Sequence, residues 1–239
     1  FRRQRQMCIR DSLYALDATT GELVWQTSPD DHHSATLTGT PAFANGNLYV
    51  PVSSLEVVTA ANPEYACCTF RGHVMAVNGD DGSVLWDSYA IPNTPISTGD
   101  TAAGTKIFAP SGAPVWTSPT IDVDRNLLIF GTGENYSSPA DQNSDAIIAI
   151  RLDTGERLWS RQTFPDDAWN VACMMVDNPN CPEEDGPDYD QASSPLLVDI
   201  GAGKTVVVAG QKDGRVFALD WETGQNKLWE VKLGRGSIQ

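Results

Sequence analysis

The stretch LYALDATTGELVW (residues 13–25) recurs three more times in the chain, and this recurrence decides the fold. The other copies read VMAVNGDDGSVLW (74–86), IIAIRLDTGERLW (147–159) and VFALDWETGQNKLW (216–229), the last with one extra residue before its tryptophan. Each copy is a β-prone run, a turn that ends in glycine, and a second short run that closes on tryptophan. Because glycine adopts turn conformations that other L-residues resist, each copy predicts a β-hairpin.

The spacing of the copies predicts the architecture. Their tryptophans stand at positions 25, 86, 159 and 229, so the unit recurs every 61–73 residues. Further pairs of β-rich runs lie between the copies, such as GTPAFANGNLYVPVSS and SPTIDVDRNLLIFGTG. One unit is therefore about four strands, and radial repetition of four-stranded sheets predicts an all-β propeller. No helical period is present, which disfavours a parallel α/β fold, and we interpret the tryptophans as packing residues between sheets.

The charge of the chain limits its partners. The formal net charge at pH 7 is −15, from 16 basic and 31 acidic residues. A chain this acidic repels nucleic acid and anionic lipid, so we expect neither as a partner. No apolar run reaches the length of about 18 residues that a membrane span needs, so we expect no such span.

The first eleven residues, FRRQRQMCIRD, differ from the rest because they carry four arginines and one acid. One interpretation is a basic arm or the start of a secretory signal, but no apolar run follows that would complete a signal. Within the stretch, MCIRD resembles a translated transposon-end sequencing adapter, and we prefer this interpretation. We expect residues 1–11 to be an adapter artefact and residues 12–239 to be part of a propeller domain, with a net charge of about −18.

Four cysteines remain once residues 1–11 are set aside: Cys67, Cys68, Cys173 and Cys181. An even number suits an oxidising compartment, and four cysteines allow three pairings. Consecutive Cα atoms lie about 3.8 Å apart, whereas ordinary disulfides span about 4.4–6.8 Å, so a bond between Cys67 and Cys68 needs a strained ring. The sequence leaves open whether these neighbours bond to each other or to the other two cysteines.

The repeated motif Ala-x-Asp-x-x-Thr-Gly-x-x-x-Trp resembles the tryptophan-docking repeat of the pyrroloquinoline-quinone dehydrogenases. These are eight-bladed propellers that hold the quinone and a calcium ion on the axis. The motifs YVPVSSLE, YACCTFRG, GAPVWTSPTID, GTGENYSSPA, DDAWNVAC and QKDGRVFALD are similar to the polyvinyl-alcohol dehydrogenase branch of the family. The resemblance runs from Ser12 to the C-terminus and covers roughly half of such a propeller. It implies a periplasmic or secreted bacterial oxidoreductase that oxidises alcohol groups, of small molecules or of a polymer, and passes electrons to an acceptor such as cytochrome c.

The family chemistry implies a set of oxygen ligands for calcium. A hard cation binds oxygen and acts as a Lewis acid on the quinone, while a carboxylate takes the alcohol proton. The resemblance assigns Glu56 as one ligand, the alternative being a solvated loop acid, and assigns the hydroxyls of Thr38 and Ser53 to the quinone. Where the family has a ligating asparagine, this chain has Glu134 followed by Asn135, and both are oxygen donors.

Two further residues are implied to contact the quinone. Lys212 matches the basic residue over the quinone carbonyls, where a cation stabilises negative charge on the reduced ring; its alternative is an exposed lysine at a strand end. Trp116 lies near the place of the stacking tryptophan, although Ser118 occupies the position that aligns with the stacking ring.

The catalytic base has three candidates. The family aspartate precedes a strand of the type PLL, and GPDYDQASSPLLV offers Asp190, which we prefer, with Asp188 two residues earlier. An alignment through DDAWN instead places Asn170 there, and a neutral amide cannot accept the proton.

The adjacent cysteines also have a family counterpart, in which a bonded pair forms a rigid plate against one face of the quinone. By this resemblance Cys67 and Cys68 bond to each other and contact the quinone or pin the loop, which leaves Cys173 to bond Cys181. Crossed pairs between the two loops are the alternative.

Two other functions compete with a dehydrogenase. One is a non-catalytic propeller, a scaffold or an outer-membrane assembly factor of the same repeat family, and the other is a calcium- or sugar-binding propeller without quinone. The hydroxyls, acids and lysine that the sequence collects in loops on one rim favour the enzyme.

Overall fold

The computed structural model describes residues 12–102, 104–225 and 227–236, so our interpretation of residues 1–11 lies outside the described residues. The described chain forms strands and two short helices. The strands are β1 (Leu13–Leu16), β2 (Leu23–Thr27), β3 (Ala35–Thr36), β4 (Ala42–Ala44), β5 (Asn47–Ser54), β6 (His73–Asn78), β7 (Val84–Tyr89), β8 (Ile96–Asp100), β9 (Lys106–Ala109), β10 (Thr120–Asp122), β11 (Leu127–Gly131), β12 (Ala146–Arg151), β13 (Arg157–Gln162), β14 (Leu196–Gly201), β15 (Lys204–Gly210), β16 (Arg215–Asp220) and β17 (Lys227–Lys232). The helices are α1 (Glu56–Thr59) and a 3₁₀ helix over Val171–Met174. Neither helix has the length that a membrane span requires.

The strands form antiparallel sheets in sequence order. Strands β4–β7, β10–β13 and β14–β17 make three consecutive four-stranded units, and β3 adds to the first of them by pairing with β5. The hairpins predicted from the repeated stretches are β1–β2, β6–β7, β12–β13 and β16–β17. Strands β8 and β9 form a separate hairpin between the first two units. The predicted four-stranded unit is therefore confirmed.

The units stack face to face, with their first strands next to one another. Strand β10 contacts both β4 and β14, so the first strands of three units are neighbours. Strand β11 is buried on both faces: Leu128 and Phe130 belong to the core shared with β4–β7, whereas Leu127 and Ile129 belong to the core shared with β14–β17. Successive residues of a strand point to opposite faces, which explains why this run is apolar without alternation.

Each repeat is joined to the next by an indole ring that packs on a glycine. A Cβ atom at Gly155 would lie 2.6 Å from the Trp86 ring, and one at Gly82 would lie 2.7 Å from the Trp25 ring. The Trp25 Nε1 group also donates a hydrogen bond of 2.9 Å to the Gly79 carbonyl. The ring thus occupies the space that a side chain would fill, so the motif needs glycine for packing as well as for its turn.

Burial of the tryptophans follows from this contact. Trp25 and Trp159 are 8% and 7% exposed and Trp86 is partly buried, whereas Trp229 is 46% exposed. Among the described residues, no glycine packs on the Trp229 ring. The interface between repeats, rather than the hairpin itself, removes the ring from water.

We expect Gly155→Ala to lower the free energy of unfolding more than Gly46→Ala does. Both glycines have positive φ, +71° and +79°, so alanine is strained by about 1–2 kcal/mol at either position. A Cβ at Gly46 meets nothing within 4 Å, whereas at Gly155 it overlaps the Trp86 ring, which adds about 1–3 kcal/mol. Urea unfolding of both variants of the full-length protein measures the difference. Equal losses would contradict the packing role of this glycine.

Candidate functional site

Loops at equivalent positions of three units carry polar side chains to one rim. Ser53 lies at the end of β5, Glu134 follows the end of β11, and Lys212 follows the end of β15. These are the second strands of adjacent units, so their carboxyl ends lie on the same side of the stacked sheets. The loops that connect units add Trp116 from before β10 and the segment 163–195 from between β13 and β14.

These loops enclose a cleft of about 490 Å³, a size typical of small-ligand sites. It contains five residues predicted from the sequence, namely Ser53, Trp116, Glu134, Asp190 and Lys212, together with the alternative base Asp188. The remaining lining residues are Ser54, Val57, Pro114, Tyr136, Trp169 and Val171. Of these, Trp169 was missed because it lies in an insertion with no counterpart in the other repeats; its place in DDAWN, one of the family motifs, was the available signal.

A partly buried lysine links the two aspartates of the cleft. The Lys212 Nζ atom lies 2.8 Å from Asp188 Oδ1 and 2.8 Å from Asp190 Oδ2. The other oxygen of Asp190 accepts a hydrogen bond of 2.9 Å from the Glu134 backbone N–H. The ammonium also lies 5.6 Å from the centre of the Trp116 ring, within the range of a cation–π contact.

The electrostatics of the cleft follow from burial and crowded carboxylates. Burial raises the pKa of Glu134 well above its ordinary value, and the neighbouring Asp190 and Asp188 raise it further. Burial and Asp190 also raise the pKa of Asp188, to about 7, although Lys212 opposes this rise. Burial alone would lower the pKa of Lys212, but the two aspartates outweigh it and raise that pKa above its ordinary value.

Three carboxylates form a set that a hard cation can use. Oxygen atoms of Glu134, Asp188 and Asp190 all lie within 4.8 Å of one another, and all three residues are buried. Oxygen ligands at such spacing match the preference of calcium. A cation there would also relieve the repulsion that raises the pKa values of Glu134 and Asp188.

The neighbouring Asn135 has a different environment. Its Nδ2 donates a hydrogen bond of 3.0 Å to the Ser111 carbonyl, and its Oδ1 accepts one of 2.7 Å from the Asp141 N–H. The side chain is fully buried and does not line the cleft. Of the two residues left open in GTGEN, Glu134 therefore faces the cleft, and the assignment of Asn135 as a cation ligand stays a prediction.

Glu56 is buried among protein donors. Its carboxylate accepts hydrogen bonds from the backbone N–H groups of Thr69 at 2.9 Å and Phe70 at 2.8 Å, and from the Tyr65 hydroxyl at 2.8 Å. His32 Nε2 lies 3.5 Å away. Burial opposes its ionisation, but the hydrogen bonds outweigh burial and lower the pKa of Glu56 below its ordinary value. The predicted cation-ligand role stays a prediction, and these contacts add a structural role, because they close the insertion between residues 56 and 70.

Thr38 supports the cleft from outside. Its hydroxyl donates a hydrogen bond of 3.0 Å to the Trp116 carbonyl, and it is exposed rather than part of the cleft lining. The predicted contact of Thr38 with a quinone stays a prediction. What the hydroxyl does in this structure is hold the loop that carries Trp116.

The cysteines form two disulfides, Cys67–Cys68 and Cys173–Cys181. Both cysteines of the adjacent pair are buried beside Phe70 and Tyr136. Cys67 lines a second cavity next to the cleft, and neither it nor Cys68 is among the described residues that line the cleft itself. The pairing is the one implied by the resemblance, and a contact with the quinone stays a prediction.

Asn170, the third candidate for the base position, is fully buried, and both polar atoms of its side-chain amide are hydrogen bonded. Its Nδ2 donates to the carbonyls of Tyr136 at 2.9 Å and Asn180 at 2.7 Å, and its Oδ1 accepts from the Ala172 N–H at 2.8 Å. It caps the 3₁₀ helix and ties two loops together. Its neighbours Trp169 and Val171 line the cleft, and Asn170 does not.

The residues of the cleft fit a flat aromatic ligand together with a cation. Trp116 and Trp169 present planar rings, which favour stacking with a ring system. The Nε1 group of Trp116 is buried and has no hydrogen-bond acceptor among the described residues, so a ligand oxygen would satisfy it. The carboxylate set supplies the oxygens for the cation.

Comparison with known families gives the class of this protein. A family model for the PQQ domain, described as "Glucose/ethanol/alcohol dehydrogenase, beta-propeller domain", matches residues 28–233. The chain belongs to this family. The predicted all-β propeller and the family resemblance seen in the motifs are both confirmed.

Individual relatives show which members of the family this chain is similar to. A polyvinylalcohol dehydrogenase from Pseudomonas sp. is 35% identical over 223 residues, which are 93% of this chain and 35% of the relative. One from Sphingopyxis sp. is 36% identical over 225 residues, with 93% of this chain and 34% of the relative covered. The crystal structure of quinohemoprotein alcohol dehydrogenase from Comamonas testosteroni matches with a TM-score of 0.67 at 25% identity, covering 93% of this chain and 32% of that chain. The chain spans about a third of the length of the curated relatives it matches.

The structural role of Glu56 is testable through pH. We expect Glu56→Gln to lower the free energy of unfolding by about 1–3 kcal/mol at pH 7, because charged hydrogen bonds to buried N–H groups weaken. A carboxylate with a lowered pKa stabilises the fold above its ordinary pKa of 4.5, and this contribution is lost as the pH falls through the lower folded value. The difference from wild type should therefore shrink in acid.

Urea unfolding of the full-length protein at pH 7 and at several pH values below 4.5 measures this effect. The matched control is Glu64→Gln, an exposed acid of the same insertion, which should change stability little. If Glu56→Gln left stability unchanged at pH 7, the closure role would be wrong.

Proposed function

We propose that this chain forms part of a quinoprotein dehydrogenase that oxidises alcohol groups with pyrroloquinoline quinone and calcium. The observation that carries the proposal is the cleft, in which Lys212, Asp188, Asp190 and Glu134 meet two indole rings. Burying one ammonium and three carboxylates costs free energy that apolar packing does not. A scaffold propeller gains nothing from such a cluster, whereas a redox site uses each of its groups.

The cleft residues have distinct roles toward the cofactor. Trp116 and Trp169 would contact the quinone rings, and Glu134 with Asp190 would supply oxygen ligands to calcium, with Glu56 as a further predicted ligand. When bound, the quinone would accept the hydride that leaves the carbinol carbon while the cation polarises the quinone carbonyl. Lys212 keeps a positive charge beside the cleft, which stabilises negative charge that develops there.

We assign the proton acceptor to Asp188, whereas the sequence favoured Asp190. Both oxygens of Asp190 are engaged, one by Lys212 and the other by the Glu134 N–H. Among the described residues, only Lys212 lies within hydrogen-bond distance of the Asp188 carboxylate. Asp188 therefore retains an oxygen for a substrate hydroxyl, and Asp190 positions Lys212 and the Glu134 loop. Transfer of the hydroxyl proton to Asp188, with loss of hydride from carbon, converts the carbinol to a carbonyl group.

The substrate class we propose is a secondary alcohol, including the repeating carbinols of vinyl alcohol polymers. Two relatives at 35% and 36% identity are named polyvinylalcohol dehydrogenases. The cleft has a mixed lining of serine hydroxyls and apolar side chains such as Val57 and Val171, which suits a carbon chain with hydroxyl groups.

We further propose a periplasmic or secreted location and a haem protein such as cytochrome c as electron acceptor. The two disulfides support an oxidising compartment. The quinohemoprotein similar in fold supports a haem acceptor. The acidic charge of −15 favours association with a basic redox partner.

Asp188→Asn tests the catalytic assignment. We expect the rate of alcohol-dependent dye reduction by the full-length protein, loaded with quinone and calcium, to fall about 10²–10⁴-fold, because an amide cannot accept the proton. The control is Asp166→Asn, an exposed acid in the loop that also carries Trp169. Absence of alcohol-dependent reduction by wild type would favour a non-catalytic propeller, and full activity of Asp188→Asn would refute its role as base.

Glu134→Gln tests the cation site. Loss of one anionic ligand from a hard-cation site should weaken calcium binding about 10–100-fold, measured by calorimetry on the full-length protein. Glu222→Gln, an exposed acid in the last repeat, should bind calcium as wild type does. Unchanged affinity of Glu134→Gln would place the cation elsewhere.

A further inference from the structure

A second cavity of about 370 Å³ lies beside the cleft. Its walls come from segments outside the four-stranded units: the β8–β9 hairpin, the loop after β11, the Cys67 loop and the loop that Cys173–Cys181 closes. None of these segments is needed to complete a four-stranded unit. The cavity is therefore formed by insertions between the repeats and is not a packing defect within a sheet.

The cavity and the cleft share a wall. Tyr136 lines the cleft, and the next residue, Ser137, lines the cavity. Asn170 joins the two sides, since its amide donates to the Tyr136 carbonyl at 2.9 Å and to the carbonyl of Asn180, a cavity residue, at 2.7 Å. The two compartments are therefore neighbours, separated by residues that these hydrogen bonds hold together.

The lining of the cavity disfavours an anion and offers hydrogen-bond acceptors to alcohol groups. None of the described residues that line it is basic, and it contains the acids Asp100 and Glu183, so an anion such as the quinone itself is disfavoured. Carboxylates and hydroxyls such as that of Thr98 accept hydrogen bonds from alcohol groups. Ile107 and two prolines supply apolar surface for the carbon backbone of the same ligand.

The walls are held in place before any ligand binds. The Ser137 and Ser111 hydroxyls are hydrogen bonded at 2.6 Å. The Asn180 amide donates to three carbonyls of the first insertion, at 2.9–3.1 Å, while its Oδ1 is buried without a partner among the described residues. Walls fixed in this way lose little conformational entropy on binding.

From these observations we infer that the second cavity is a subsite for a polymeric secondary alcohol, which holds a segment of the chain while a neighbouring carbinol lies in the cleft. The inference rests on the proposed function for the choice of polymer. It assigns the added hairpin β8–β9 a role in substrate choice: polymers gain affinity from the subsite, and alcohols short enough to fit the cleft do not.

The test is a substitution that reduces the volume of the cavity at an exposed lining residue. Thr98→Trp places a large ring in the cavity, and the matched control Ser97→Trp places the same ring on the neighbouring residue of β8, which is exposed and does not line the cavity. Binding of a fluorescein-labelled polyvinyl alcohol oligomer to the full-length protein is measured by anisotropy, with polyethylene glycol of similar length as a competitor that lacks side-chain hydroxyls. In parallel, KM is measured for the oligomer and for 2-butanol.

We expect Thr98→Trp to raise Kd and KM for the oligomer at least about fivefold, to leave KM for 2-butanol unchanged, and Ser97→Trp to change neither. Polyethylene glycol should not displace the oligomer. The inference is overturned if Thr98→Trp leaves oligomer Kd unchanged, if both tryptophan variants weaken it equally, or if polyethylene glycol competes. Failure of wild type to oxidise 2-butanol would instead reject the proposed function, and the anisotropy measurement would still decide whether the cavity binds the polymer.

Discussion

The contact between an indole ring and the glycine of the following repeat is the constraint on which the rest of the structure depends. The ring takes the space of a missing Cβ, and its N–H bonds to the backbone of the same turn at Gly79 and, in a later repeat, at Trp221. This contact fixes how far one sheet lies from the next and which ends of the strands share a rim. Because the contact recurs, loops that follow equivalent strands arrive at the same place, and a site can be assembled from residues far apart in sequence.

The cleft is held together by the ion pairs of Lys212 and by loops that are closed independently of it. Lys212 bridges two aspartates that would otherwise repel each other in a buried setting, and Asp190 in turn holds the Glu134 loop. Removal of one partner from such a set leaves an uncompensated buried charge, so the groups act as a unit. Glu56 closes one insertion through its hydrogen bonds, and Cys173–Cys181 closes another. The sheets therefore supply position, and these local closures supply the shape of the walls.

Part of the site was predictable from motifs that this chain shares with a known family. Ser53 lies at the end of the second strand of one unit, and Glu134 and Lys212 follow the second strands of the next two; the family motifs located all three. Trp169 and Asp188 lie in the long connection between β13 and β14, where no other repeat offers a comparison. There, an alignment alone left Asp188 and Asn170 as alternatives to Asp190. The contacts distinguish the three residues. The Asn170 amide is hydrogen bonded to backbone groups, whereas both aspartates form ion pairs with Lys212.

The sequence by itself determined the hairpins, the four-stranded unit and the order of the units, since these depend on strand-forming runs, turn glycines and spacing between near neighbours in the chain. Only the tertiary structure decided that Glu134 rather than Asn135 faces the cleft, that Cys67 pairs with Cys68, and that the Glu56 carboxylate meets backbone donors. The direction of a loop side chain depends on partners brought near by the packing of other units. For Asn135 these include Ser111, 24 residues away, and for Glu134 they include Asp190, 56 residues away. A local sequence pattern does not identify such distant partners. The fold could therefore be predicted from the sequence, whereas the geometry of the site could not.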